Sequence, residues 1–120
     1  MRVIAGEYRS RPLRSLRGMD IRPTSDRLRE TLFNILSAGN PNAFEGTVWL
    51  DLFAGSGAVG IEALSRGAKL VYFVESSATA GEVIRENLQS LGITSGFKLL
   101  HDEMPGAFWK MERGHVAADV

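Results

Sequence analysis

Asp51-Leu52-Phe53-Ala54-Gly55-Ser56-Gly57-Ala58-Val59-Gly60-Ile61-Glu62-Ala63-Leu64-Ser65-Arg66-Gly67-Ala68 is the stretch that decides the fold. Its first residues complete VWLDLF (48–53), a short apolar run with one acid in it, which reads as a buried strand. Gly55 to Gly60 then spell G-x-G-x-x-G, and Ile61, Ala63 and Leu64 lie on a short helix that Gly67 closes. Glycines let the backbone turn tightly and approach a ligand closely, while the helix N-terminus offers unpaired amide donors. A strand–glycine loop–helix unit of this kind serves several nucleoside cofactors, and a loop of the same shape also occurs without a ligand.

Downstream, LVYFVE (70–75) is a second strand, nearly unbroken in apolar residues as a parallel sheet requires. Ala80, Ile84, Leu88 and Leu91 form a helical face stopped by Gly92. FKLLHD (97–102) predicts a third strand, Pro105 to about Glu112 a short helix, and VAADV (116–120) the start of a fourth strand. Strand and helix alternate throughout, which predicts an α/β fold with a doubly wound, Rossmann-like parallel sheet.

Upstream, residues 2–8 and 11–16 read as two extended segments turning around Arg9 and Ser10, a β-hairpin with Pro12 confined to an edge. Ile21 to Ser25 lead into a helix that Thr24 or Ser25 would cap. Leu28, Leu32, Ile35 and Leu36 fall on one face of that helix, its expected core side, and Gly39 with Pro41 ends it. The expected organisation is a basic hairpin arm over residues 1–23 and a cofactor-binding domain over residues 24–120.

The acids choose among cofactors. Asp51 stands at the carboxyl end of the first strand, four residues before Gly55. An unpaired carboxylate there is costly unless a ligand or a donor uses it. A dinucleotide would bring its pyrophosphate close by and repel it, whereas S-adenosylmethionine brings an ammonium, a sulfonium and no phosphate. Asp51 therefore favours S-adenosylmethionine over NAD, with a capped structural aspartate as the alternative. Glu75 ends the second strand and is placed for both ribose hydroxyls, a role common to either cofactor. Asp102, at the end of the third strand, is placed for the adenine amino group, or else for capping the next helix.

Charge is uneven although the net formal charge is zero. Residues 1–30 carry eight arginines against four acids, and residues 31–120 carry six Lys/Arg against ten acids. Arginine suits bidentate phosphate contacts, so the arm is a candidate nucleic-acid surface; a solvated hairpin is the alternative. Arg27 and Arg29 could equally be helix-surface charges pairing with Asp26 and Glu30. The 120 residues give room for one domain with one core. There is no cysteine, and His101 and His115 lack partners at ligand spacing, so no metal is expected. No apolar run has signal-peptide or membrane-span length, which predicts a cytoplasmic protein. Trp49 is expected in the core.

At this point the chain resembles the RsmD-type methyltransferases of bacterial small-subunit rRNA, over nearly its whole length. The resemblance lies in Arg2-Val3-Ile4-Ala5-Gly6, in Arg22-Pro23-Thr24-Ser25-Asp26-Arg27 with Glu30 and Leu32-Phe33-Asn34, in Asp51 to Ala68, and in Phe73-Val74-Glu75. Pairing the first-helix block with the glycine loop makes it specific; residues 104–120 match loosely. It implies a class I methyltransferase fold, S-adenosylmethionine as cofactor, and transfer of a methyl group to the exocyclic N2 of a guanine in 16S rRNA. The partner it implies is 16S rRNA or a small-subunit assembly particle, bound by a monomer. It further implies that Asp51, Gly55 and Gly57 hold the methionine end, Glu75 the ribose and Asp102 the adenine, with Phe53 also binding the cofactor and Thr24 and Arg27 over it. Arg9, Arg11 and Arg14 would meet rRNA phosphates, and Arg22 cofactor or RNA. Ser10 departs from the glycine such hairpins often carry, which puts the turn geometry in question.

A further departure concerns chemistry. Enzymes of this superfamily that methylate exocyclic amines carry Asp/Asn-Pro-Pro-Tyr/Phe after the fourth strand, yet Pro12, Pro23, Pro41 and Pro105 are nowhere adjacent. Ala118-Asp119-Val120 resembles the run-up to that motif. No catalytic residue is therefore expected within residues 1–120, and this stretch alone should bind cofactor without transferring methyl. Three competing readings remain: the same cofactor acting on another nucleic-acid amine such as adenine N6 of DNA, a NAD-binding module, and a non-catalytic truncated protein that binds RNA or cofactor.

Overall fold

The computed structural model describes residues 1–15, 23–52 and 54–100. Three parallel strands, β1 (Val48–Leu52), β2 (Leu70–Val74) and β3 (Phe97–Leu100), form one sheet in the order β1-β2-β3. Helix α1 (Pro23–Ser37) precedes β1, α2 (Ala58–Ser65) joins β1 to β2, and α3 (Ala78–Ser90) joins β2 to β3. Leu52 pairs in register with Val74, and Val74 with Leu100, so the three carboxyl ends share one rim. Val71, Tyr72, Phe73 and Val74 are all buried, as expected of a strand covered on both faces. The expected α/β order is present over the described residues. The elements expected over 105–112 and 116–120, with both histidines, lie outside them.

Local chemistry sets the helix ends. Ser77 Oγ accepts the Ala80 N–H at 3.2 Å and caps α3. At its other end Gly92 has φ +74°, with Gly92 N–H donating to Gln89 O at 3.0 Å and Ile93 N–H to Leu88 O at 2.9 Å. This paired closure satisfies the last carbonyls of the helix. The inward face of α3 is the expected one: Ala80, Ile84, Leu88 and Leu91 are all buried.

Helix α1 departs from expectation twice. It begins at Pro23, so Thr24 and Ser25 lie within its first turn rather than ahead of it. Its expected core face is exposed: Leu28 and Ile35 are 68% and 71% accessible, and Leu32 and Leu36 are also open. The helix instead buries Phe33 and Arg29, four residues apart on one face. Phe33 stacks on Trp49 of β1 at 5.3 Å between ring centroids, and the edge of Phe44 closes the trio. Those aromatics, rather than the aliphatic stripe, dock the helix.

The arm is shorter in strand and more deeply seated than the sequence indicates. A single antiparallel bridge pairs Arg2 with Pro12, flanked by Val3 N–H to Arg11 O and Leu13 N–H to Met1 O. Pro12 thus occupies a non-hydrogen-bonded position, where its missing N–H costs nothing. Val3 and Leu13 are buried in the same core cluster as Phe33, Trp49, Ile61 and Phe73. Between the strands, Gly6 turns at φ +88° directly against the end of α2, where a Cβ would stand 1.9 Å from Ser65 O. Ser65 Oγ donates to Ala5 O at 2.6 Å and accepts the Tyr8 N–H at 3.0 Å. Ser10 adopts φ +69°, the left-handed conformation that glycine tolerates at no steric cost.

Candidate functional site

The loop leaving β1 is shaped by its glycines. Gly55 has φ +58°, and Gly57, the residue capping α2, has φ +83°. A Cβ on Gly57 would press within 3.3 Å of Ile84. Gly60 serves packing instead. A Cβ there would lie 2.3 Å from the Phe73 ring, so only glycine lets α2 sit this close to β2.

Two acids flank the loop. Asp51, one residue from the end of β1, accepts the Gly60 N–H through Oδ2 at 3.0 Å. Burial raises its carboxyl to about 7; the Gly60 hydrogen bond opposes that shift and the nearby Glu75 charge adds to it. No cation pairs with Asp51 among the described residues. Glu75 follows β2 directly, its Oε1 accepting the Gly55 N–H at 2.8 Å and its Oε2 the Ser77 N–H at 3.0 Å. Each carboxylate oxygen retains a lone pair for a further donor. The structure therefore brings Asp51, Gly55, Gly57 and Glu75 together on one rim. Phe53 and Asp102 lie outside the described residues.

The described residues hold no cluster of three metal-ligating side chains, and no helix among them is long and apolar enough to cross a membrane. The donor set of carboxylates and backbone amides suits an organic cation with hydroxyls. Among the described residues it offers no guanidinium or ammonium to a pyrophosphate.

The candidate RNA-contacting arginines divide into groups. Arg9 is exposed, with no acidic partner among the described residues. Arg11 donates from Nη2 to Ser90 O at 2.8 Å, and Arg14 pairs with Glu86, both on α3. Arg22 and the side chain of Thr24 lie outside the described residues. Arg27 is exposed on α1 and has no acidic partner among the described residues. Arg29, weighed in the sequence as a surface charge, is instead buried.

Arg29 belongs to a charged centre that the sequence did not reveal. Glu62 of α2 is fully buried, with its Oε1 3.4 Å from Arg29 Nε and its Oε2 2.9 Å from Arg66 Nε. Its two oxygens also accept the Ile4 and Ala5 N–H groups at 2.9 and 3.0 Å. Arg29 reaches on to Asp26 at 2.9 Å and to the Arg2 carbonyl, while Arg66 lies over the Phe33 ring at 4.7 Å. The arm, α1 and α2 are thus joined through one carboxylate. The signal available in the sequence was a glutamate inside the apolar run Gly60-Ile61-Glu62-Ala63-Leu64. Asn87, buried within α3, was likewise missed.

Comparison with known proteins agrees with this architecture. Ribosomal RNA small subunit methyltransferase D of Haemophilus influenzae is 46% identical over 95 residues, covering 79% of this chain and 47% of the relative. The protein of the same name from Escherichia coli K12 is 42% identical over 91 residues, covering 76% and 44%. The chain thus spans about half the length of the curated relatives it matches. A hypothetical protein of Thermus thermophilus superposes with a TM-score of 0.78 at 29% identity, covering 96% of this chain and 63% of that one. A SAM-dependent methyltransferase of Agrobacterium tumefaciens shares the fold, with a TM-score of 0.65 at 21% identity, covering 86% and 32%. The family model described as conserved hypothetical protein 95 matches residues 1–120, so the chain belongs to that family, alongside the small-subunit rRNA methyltransferase D proteins.

Proposed function

We propose that the rim formed by Asp51, the Gly55–Gly57 loop and Glu75 binds S-adenosylmethionine. We further propose that the protein to which these residues belong methylates the exocyclic N2 of a guanine in 16S rRNA. The observation that carries the reading is Asp51: a carboxylate with one backbone donor and no cation partner among the described residues, beside a loop that Gly55 and Gly57 turn at positive φ. A ligand ammonium would supply the missing countercharge.

When bound, the cofactor's sulfonium supplies the methyl group for direct in-line transfer. The chain's own residues bind and orient. Asp51 holds the ammonium, the Gly55–Gly57 backbone lets the methionine end lie close, and Glu75 accepts from the ribose hydroxyls while bracing the loop through Gly55. In the same reading Phe53 borders the methionine end, Asp102 meets the adenine, and Thr24 and Arg27 approach the cofactor from α1. Arg9, Arg11, Arg14 and Arg22 present charge to rRNA phosphates, contacts that position without reading sequence. Residues 1–23 serve as the arm and residues 24–120 as the cofactor-binding part of a cytoplasmic, monomeric protein. The polarising groups for the target amine fall outside this chain's motifs.

Calorimetric titration of the 120-residue chain with S-adenosylhomocysteine, followed by competition with NADH, tests the cofactor assignment. The reading predicts binding that NADH does not displace. Displacement by NADH, or NADH binding alone, overturns it in favour of a dinucleotide module.

A further inference from the structure

Asn87 is 2% exposed in α3, and its side-chain oxygen and both of its amide hydrogens are engaged. Its Oδ1 accepts the Arg14 N–H at 2.7 Å, and its Nδ2 donates to Arg14 O at 2.9 Å, so the amide grips both backbone groups of one arm residue as a neighbouring strand would. The second Nδ2 hydrogen donates at 2.9 Å to Ser56 O, at the tip of the glycine loop between Gly55 and Gly57. One planar group therefore touches the loop on one side and the arm on the other.

The surroundings reinforce this bridge. Ile84, three residues earlier on the same helix, is the side chain that a Cβ on Gly57 would strike. Around Asn87, Glu86 pairs with the Arg14 side chain and Ser90 O accepts from Arg11. Both arginines are thus oriented by α3, the helix that also backs the loop. An asparagine amide is rigid and planar, so a displacement of Ser56 O is passed to Arg14 through a single group.

We propose that Asn87 is a positioning residue that couples occupation of the glycine loop to the seating of the basic arm, so that Arg11 and Arg14 reach their RNA-contacting geometry when cofactor is bound. The proposal rests on the cofactor reading given above. It goes beyond that reading by assigning to a residue remote from the reacting atoms the linkage between the two binding surfaces. Linkage of this kind is reciprocal: RNA on the arm tightens cofactor by the same factor.

The test is a titration of the ¹⁵N-labelled 120-residue chain with S-adenosylhomocysteine, followed by NMR. In the wild type the Gly55 and Gly57 amides, the Asn87 side-chain amide and the Arg14 backbone amide should all shift along one saturation curve. In Asn87→Asp, which keeps the acceptor but loses both donors, Gly57 should still shift while the Arg14 response falls to less than about a fifth. Affinity for a 16S rRNA transcript should rise roughly fivefold with S-adenosylhomocysteine in the wild type, and by a factor near one in the variant. Arg14 remaining still while Gly57 moves in the wild type would overturn the proposal, as would an undiminished Arg14 response in the variant. Should the variant not fold, the wild-type titration alone decides. Gly55 and Gly57 failing to respond in the wild type would instead overturn the cofactor reading, and the coupling with it.

Discussion

Glu75 Oε1 accepts the backbone N–H of Gly55 at 2.8 Å, tying the acid after β2 to the first glycine of the loop after β1. In the proposed reading Glu75 has two roles, one toward the ligand and one, through this contact, toward the loop. In Glu75→Gln the charge is lost, and the terminal NH2 cannot accept from Gly55 or Ser77. Charge-assisted hydrogen bonds of this kind contribute about 1.5–3 kcal/mol each. S-adenosylhomocysteine affinity should therefore fall roughly 10- to 100-fold, measured by calorimetry. Wild-type affinity in the variant would remove Glu75 from the site.

Glu62 is predicted to be the least replaceable side chain outside the rim. Truncation in Glu62→Ala removes the carboxylate partner of Arg66, leaves buried Arg29 with Asp26 alone, and strips two arm amides of their acceptor. Breaking a buried ion pair from one side costs about 3–5 kcal/mol. Urea unfolding should show a loss of that order, accompanied by faster exchange of the Ile4 and Ala5 amides. A loss below about 1 kcal/mol would mean that the arm and α1 are held by apolar packing alone.

What the sequence disclosed depends on the range of the interaction concerned. Asp51 and Glu75 were legible because each is an acid ending an apolar strand, a local anomaly that needs no knowledge of the fold. The order of strands and helices after Thr47 was legible for the same reason, since alternation and glycine stops are local. Helix α1 shows the limit. Periodicity identified Leu28, Leu32, Ile35 and Leu36 as sharing a face, but could not say which surface that face meets. The inward face is set by Arg29 meeting Glu62, 33 residues away in sequence, and by Phe33 stacking on Trp49. Asn87 was illegible because its partners Arg14 and Ser56 lie 73 and 31 residues away. In an amphipathic helix, an asparagine signals nothing until the arm folds back onto it.

Ser10 is a place where the chain tolerates strain. Its φ of +69° costs a side-chain-bearing residue more than it costs glycine. Against this, glycine adds freedom to the unfolded chain. The net expectation for Ser10→Gly is a gain of about 0.5 kcal/mol, since a left-handed cost of about 1–2 kcal/mol outweighs an unfolded-state effect of about 0.4–1 kcal/mol. Thermal unfolding would register this as a rise of a few degrees. A lower midpoint would show that the serine side chain contributes more than its backbone conformation costs.

The central claim is that the Asp51 carboxylate awaits a cation, and its pH dependence gives the most direct test. With its carboxyl raised from 3.8 to about 7, folded Asp51 holds its proton more tightly than the unfolded chain does. Rising pH across that window therefore makes this group oppose folding. A bound ammonium favours the ionised form, so binding expels the proton below about pH 7 and becomes pH-independent above it. The measurement is the affinity for S-adenosylhomocysteine by calorimetry between about pH 5.5 and about pH 8.5, a window that brackets the raised carboxyl, in wild type and Asp51→Asn. The account predicts wild-type affinity climbing by up to about tenfold per pH unit below about 7 and then levelling, with weak, flat binding in the variant. Undiminished binding by Asp51→Asn, or a wild-type affinity that does not respond to pH, would contradict it.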